Sequence, residues 1–229
     1  SEYGVTVVNT PTATSLSVAE LTIGLLFTLA RSIPHADSSM KNGGWIKKQL
    51  CGVELKGKTL GIIGIGNIGS IVAGRAASLR MDVIGYDIYL TDDEMERRDA
   101  HPVPLRELYA RSDFICLHIP LTAETRGMID AYALSQMKPG VRLVCTARGD
   151  IIDEDALLTS LESGQVAGAA LDVYGQEPPG LTALITHPNV VATPHIGAQT
   201  AEAQARAAAN IADEVLASLR GEPLRWKVG

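Results

Sequence analysis

Three segments in the second half of the chain run apolar and then stop at a residue able to do chemistry. "CTARGDIIDEDAL" supplies Arg148, "GAALDVYGQEPP" supplies Asp172 and Glu177, and "VVATPHIGA" supplies His195. Arginine carries a planar fork of donors that matches a carboxylate bidentately. Histidine gives or takes a proton near neutral pH. A glutamate beside it would orient the imidazole and favour its protonated form. The set suits a carbonyl–hydroxyl interconversion next to a carboxylate, with Arg148 as the anchor, His195 as the acid/base and Glu177 as its partner. Each residue also has a plainer reading. Arg148 could pair with Asp150 in a turn, Glu177 could be solvated before Pro178 and Pro179, and His195 could simply end a strand. Parallel strand ends fall along one sheet edge, where ligands bind in open α/β folds, and that shared placement favours the chemical reading. His35, His101, His118 and His187 read as structural or surface residues.

Upstream, "TLGIIGIGNIGSIVAGRA" holds Gly64, Gly66 and Gly69 in the order G-x-G-x-x-G. A chain that leaves a strand sharply, nears a pyrophosphate and starts a helix against it needs glycines at this spacing. An apolar run precedes the triplet, and Asp87 lies 23 positions after Gly64, in place to accept from adenosine ribose hydroxyls. Ile88, Tyr89 and Leu90 follow, so no arginine adjoins Asp87 to receive a 2′-phosphate, and NAD is expected over NADP. Asp172 would then accept from the nicotinamide carboxamide.

The elements needed to hold these residues are legible as alternation. Nearly charge-free runs at 59–65, 83–87, 114–119, 142–146, 169–173 and 190–193 read as strands covered on both faces. Helical patterns at 68–79, 105–111, 131–136 and 154–163 lie between them, which predicts a Rossmann-type doubly wound α/β sheet. Two long helices flank it. One is expected over 17–31, with Ser17 and Glu20 at capping-box spacing. The other is expected over 201–220, with Ile211, Val215, Leu216 and Leu219 in one stripe and Gly221 after it. Residues 3–11 read as extended and 34–56 as an irregular connection.

A net charge of −6 and a pI near 5.4 suggest no nucleic-acid or anionic-membrane surface. The longest apolar stretch, residues 21–30, is too short to span a bilayer, and the opening Ser-Glu-Tyr-Gly shows no signal peptide. Cys51, Cys116 and Cys145 are odd in number and widely spaced, which argues against disulfides or zinc and fits a cytoplasmic protein. No metal site is expected.

The motifs together resemble the D-isomer-specific 2-hydroxyacid dehydrogenase family, most closely its 3-phosphoglycerate dehydrogenase branch. They are "NTP…SLSVAEL", "GVELKGKTLGIIGIGNIG", "VIGYD", "LHIPLTAETRGMI", "MKPGVRLV", "ARGDIIDEDAL", "SGQVAGAALDV", "EPP" and "PHIGAQTAEAQ". The resemblance implies an NAD-dependent oxidoreductase of a small D-2-hydroxy acid, with serine biosynthesis as its setting. It implies Arg148, Glu177 and His195 as the catalytic set. Cofactor contacts carry over to Asn67, Ile68, Asp87, Ile119, Pro120, Thr146, Ala147, Arg148, Asp172, His195, Gly197 and Ala198. Related readings are a glyoxylate/hydroxypyruvate reductase, a D-lactate dehydrogenase-like enzyme or, outside the enzymes, an NAD-sensing corepressor-like protein.

The chain departs from the family pattern at Cys145, where the branch usually has asparagine, and at Asp150, a common glycine. Asn67 stands for a frequent arginine and Thr14 for a frequent asparagine. Roughly the first hundred residues of such proteins, most of a substrate domain, have no counterpart here. The expected organisation is an extended segment over 1–15, a cofactor domain over 16–197 and a C-terminal helix over 198–229 belonging to the incomplete substrate domain. NAD binding with impaired turnover is expected of this chain alone. A homodimer or higher homo-oligomer is expected through the 17–31 helix, with Leu21, Leu25, Leu26 and Leu29 available for burial.

Overall fold

A computed structural model describes residues 5–228; the first residues of the extended segment therefore lie outside the described residues. Strand β1 (Val7–Val8) pairs antiparallel with β9 (Lys227–Val228) in a small ribbon. The central strands are β2 (Thr59–Ile63), β3 (Asp82–Tyr86), β4 (His101–Pro102), β5 (Phe114–Leu117), β6 (Val141–Cys145), β7 (Val166–Leu171) and β8 (Val190–Ala192). They form one parallel sheet in the order β4-β3-β2-β5-β6-β7-β8. The strand order reverses between β2 and β5, which is the switch point where an open sheet leaves a crevice at its carboxyl edge. The fold is the Rossmann-type doubly wound sheet that the charge-free runs predict, with β4 as an added edge strand.

The helices are α1 (Ser15–Arg31), α2 (Ile33–Lys41), α3 (Asn67–Ser78), α4 (Asp92–Glu96), α5 (Leu105–Arg111), α6 (Ala131–Gln136), α7 (Glu154–Glu162), α8 (Ala183–Thr186) and α9 (Ala201–Arg220). Side chains alternate across each strand, and the sheet buries both faces. Leu60, Ile62, Phe114, Cys116 and Val144 pack with α1 and α3, while Ile63, Ile115, Leu117 and Leu143 pack with α5, α6 and α7. Phe114, at the centre of the first layer, is fully buried beneath the Arg142 guanidinium.

Three expectations need correction. Helix α1 begins at Ser15 with Thr14 before it and no side-chain cap. Ser17 is not a cap but a buried hydroxyl inside the helix, and a capping box forms instead between Thr91 and Glu94 at α4. Part of the connection expected to be irregular is helical: Ser32 adopts a left-handed φ of 49° and ends α1, and Pro34 then opens α2 in its first turn. Leu25, Leu26 and Leu29 are not left available on the surface: they belong to the core layer formed with α3 and the sheet, with half-buried Leu21 packed at its edge. Leu26 is fully buried. Leu26→Ala should therefore cost about 2–5 kcal/mol in a urea transition with no change in sedimentation.

Among the described residues no single helix is long and apolar enough to cross a membrane. Helices α1 and α2 pass that test only as a pair bent by 66°, and α1 lies against the sheet.

Candidate active site

The chemistry-bearing residues lie at or a few residues beyond the carboxyl ends of the strands, Glu177 the farthest, in the loop after β7 (Val166–Leu171). Gly64 follows β2, Asp87 follows β3, Ile119 and Pro120 follow β5, Thr146 to Arg148 follow β6, Asp172 follows β7 and His195 follows β8.

The three glycines of the loop do different work. Gly64 turns the chain at a left-handed φ of 92°, and a Cβ there would lie 2.7 Å from the His118 carbonyl and 2.8 Å from Ile119 Cγ2. A Cβ on Gly69 would collide with the Gly64 carbonyl oxygen, so that glycine lets α3 close on the strand. Gly66 has open space where a Cβ would stand. It precedes α3, whose N-terminus has no side-chain cap and no acidic residue in its first turn. Exposed Asn67 and half-buried Ile68 open that turn. Unpaired first-turn N–H groups beside an open backbone favour an anionic group. Asp87 Oδ2 accepts from the Ile65 N–H at 2.8 Å and Oδ1 accepts from the Tyr89 N–H at 2.8 Å. The carboxylate is thus fixed to the loop, with acceptor capacity left for hydroxyls. The residues present fit NAD.

Glu177 and His195 meet. His195 Nδ1 lies 2.8 Å from Glu177 Oε2, and the Tyr174 N–H donates to Glu177 Oε1 at 3.1 Å. The hydrogen bond from His195 holds the Glu177 carboxyl below the usual carboxylate range, with the Tyr174 N–H and the nearby Arg148 charge acting in the same direction. Depression means that the pair's stabilisation is present above the ordinary value of 4.5 and is lost as pH falls through the lower native value. Glu177 is 38 % exposed, so solvent screens the effect. The melting-temperature gap between wild type and Glu177→Gln should be small at neutral pH and close in acid.

Arg148 does not pair with Asp150. That carboxylate pairs with Arg126, and Arg148 Nη1 donates to the Ala147 carbonyl at 2.6 Å, leaving the rest of an exposed guanidinium free. Asp150, which departs from the family pattern, ties the Arg148 loop to the 122–128 turn.

Asp172 is held by the chain's own donors. It is buried, and Oδ1 accepts from Thr193 Oγ1 at 2.6 Å and the Ile196 N–H at 2.8 Å. Oδ2 accepts from the Gly197 N–H at 2.8 Å. A carboxylate has about four acceptor positions, so one remains on Oδ2 for a carboxamide. Its other three fasten the loop carrying His195, Gly197 and Ala198. A Cβ on Gly197 would sit 3.1 Å from Asp172 Oδ2, so the missing side chain permits this approach.

Several site-shaping residues escape the sequence reading. Ser17 donates from α1 to the Gly197 carbonyl at 2.6 Å, and Thr22 shares a 3.0 Å hydrogen bond with Thr146. Helix α1 is thereby tied to both the His195 and the Arg148 loops. Arg98, distant in sequence from the glycines, donates to the Ile65 carbonyl at 2.7 Å. His118, expected to be structural, has both ring nitrogens enclosed without a partner, and burial pushes its pKa down to about 4.

A sequence profile of the D-isomer specific 2-hydroxyacid dehydrogenase NAD-binding domain matches residues 23–197. The chain belongs to this family. It is similar to human D-3-phosphoglycerate dehydrogenase, 48% identical over 96% of this chain and 42% of that one. It is also similar to the D-3-phosphoglycerate dehydrogenase of Methanocaldococcus jannaschii, 47% identical over 97% of this chain and 43% of the relative. The chain thus spans less than half the length of these curated relatives. Among solved structures it is similar to a glyoxylate reductase from Paecilomyes thermophila, with a TM-score of 0.92 and 37% identity over 99% of this chain and 69% of that one. The D-lactate dehydrogenase of Aquifex aeolicus complexed with NAD and lactic acid gives a TM-score of 0.88 and 32% identity over 96% of this chain and 71% of the other. The 2-hydroxyacid dehydrogenase cofactor domain is the part of the family this chain carries, and NAD is its cofactor.

Proposed function

We propose that the protein containing this chain is an NAD-dependent D-2-hydroxyacid dehydrogenase acting on 3-phosphoglycerate, in the cytoplasm and in the service of serine biosynthesis. The observation that carries the proposal is the Glu177–His195 pair at 2.8 Å on the sheet edge that also holds the glycine loop. Bound NAD supplies or accepts the hydride. Arg148 holds the substrate carboxylate with its free donors. Glu177 accepts from Nδ1–H and leaves Nε2 of His195 to give a proton to the carbonyl oxygen, or to take one from the hydroxyl in reverse. Asp87 holds the adenosine ribose. Gly64, Gly66, Gly69, Asn67 and Ile68 receive the pyrophosphate, and Ile119, Pro120, Thr146, Ala147, Gly197 and Ala198 line the cofactor's path. Identity of 48% to phosphoglycerate dehydrogenases favours that substrate; the 0.92 TM-score to a glyoxylate reductase supports a second reading as a glyoxylate/hydroxypyruvate reductase.

We also propose that the 198–229 segment packs on a second, substrate-binding domain. In α9, Val215, Leu216 and Leu219 are left exposed, a stripe that water does not favour. The chain alone should bind NAD yet turn over poorly, because an open site stays wet. Homo-oligomerisation through the cofactor domain is proposed on another surface than the core leucines. Ile33, Met40 and Trp45 are exposed along α2 and the segment after it, and sedimentation tests this directly.

Titrating NADH and NADPH into the chain while following nicotinamide fluorescence tests the cofactor assignment. NADH should bind at least tenfold tighter than NADPH, and Asp87→Ala should remove about 1–3 kcal/mol of NADH affinity as its charged hydrogen bonds are lost. Equal affinities would overturn the role given to Asp87. Activity of the full-length protein on 3-phosphoglycerate against glyoxylate and hydroxypyruvate decides between the two substrate readings.

A further inference from the structure

The hydrogen bonds around His195 form a circuit that begins and ends on one residue outside the catalytic set. The phenol of buried Tyr174 lies 2.9 Å from the Thr193 carbonyl and 2.9 Å from the Leu171 carbonyl, its single proton shared between them. The Thr193 carbonyl also accepts from the His195 N–H at 3.0 Å. His195 reaches across to Glu177 at 2.8 Å, and Glu177 returns to the Tyr174 N–H at 3.1 Å. The third catalytic segment presses on the same residue, since a Cβ on Gly149, next to Arg148, would collide with the Tyr174 carbonyl group.

His195 needs such a device. Its φ is 51°, in the left-handed region that non-glycine residues occupy uncommonly, asparagine, aspartate and histidine more often than the rest. Such a conformation persists only where its surroundings over-determine it. Thr193 and Ile196, on either side, are held by Asp172, and among the described residues it is the Tyr174 circuit that joins the His195 backbone to the carboxylate that its ring must meet.

The geometry points to Tyr174 as a positioning residue for the His195–Glu177 pair, acting through its phenol on the His195 backbone and through its N–H on Glu177. It touches neither substrate nor cofactor in this role, and the role rests on the acid/base assignment of His195 proposed above. Losing the hydroxyl leaves neither carbonyl bare: Leu171 still accepts from the Thr193 N–H at 2.9 Å and Thr193 from the His195 N–H. Tyr174→Phe should therefore fold.

The test is the tautomer of neutral His195, read from nitrogen-15 correlation spectra of the chain at alkaline pH, with His195→Asn to assign the signal. Wild type should hold the proton on Nδ1, facing Glu177. Tyr174→Phe should bind NADH within about twofold of wild type, yet show His195 as a tautomer mixture. In the full-length protein the same variant should lose about tenfold in kcat with the KM for NAD unchanged, as expected when a reacting group is displaced slightly. Tyr174→Phe with the wild-type tautomer and kcat would overturn the proposal. A wild-type His195 without an Nδ1–H preference would instead overturn the pairing on which the proposed function itself rests.

Discussion

Replacing His195 with asparagine is expected to lower kcat of the full-length protein in the proposed reaction by about 10²–10⁴, the usual worth of a positioned general acid/base. NADH affinity should stay within about twofold. Asparagine is the informative substitution because it tolerates the left-handed backbone that His195 adopts at φ 51°. The loop need not move, so the change removes the proton-transferring Nε2 and little else. Asp172 keeps the Ile196 and Gly197 N–H groups, which preserves the loop for the cofactor. Glu177 loses its imidazole donor but keeps the Tyr174 N–H. A loss in kcat with cofactor binding retained separates an acid/base role from a structural one. If kcat survived within a few-fold, or if NADH affinity collapsed in parallel, His195 would be a loop residue that happens to face Glu177.

Much of this site is legible before any coordinates, for a physical reason. In a parallel sheet the carboxyl ends of all strands share one edge, so finding where apolar runs stop is enough to bring Asp87, Arg148, Asp172 and His195 together. Expected strand ends run one or two residues long, as at 59–65 against Thr59–Ile63, because the hydrophobic signal continues into the buried loop at Gly64 and Ile65. What the sequence hides is the choice among equally apolar or equally polar partners. Leu25, Leu26 and Leu29 fit an interface as well as a core, and only packing on α3 and the sheet decides. Arg148 and Arg126 are both plausible partners for Asp150 from sequence, and only the folded chain shows the pair to be with Arg126. The α2 helix is masked by a polar sequence whose only marker is Pro34. Tyr174 leaves no trace, since a tyrosine after a strand most often fills a core. Its function lies in two carbonyls that no side-chain pattern encodes.

Asp172→Ala should have the largest effect on stability among the site variants, and it bears on both roles of that residue. The carboxylate is buried and accepts from Thr193 Oγ1, the Ile196 N–H and the Gly197 N–H. Removing it strands donors in a place water reaches poorly, and each unsatisfied buried donor costs about 1–3 kcal/mol. The hydroxyl can rotate to the Leu171 carbonyl, which lies 3.4 Å away. The two N–H groups cannot turn, so a loss of about 3 kcal/mol is expected in a urea transition. Thr193→Val, which removes only the rotatable donor, should cost much less. Asp172→Asn should fall between them, because its amide must set an NH₂ against at least one N–H donor where the carboxylate has an oxygen for each. Cofactor affinity supplies the second readout. If Asp172 only fastens the loop, NADH binding should fall in proportion to stability across the three variants and recover at low temperature. If its remaining acceptor position also receives the carboxamide, Asp172→Asn should lose NADH affinity beyond that trend, while Thr193→Val stays on it.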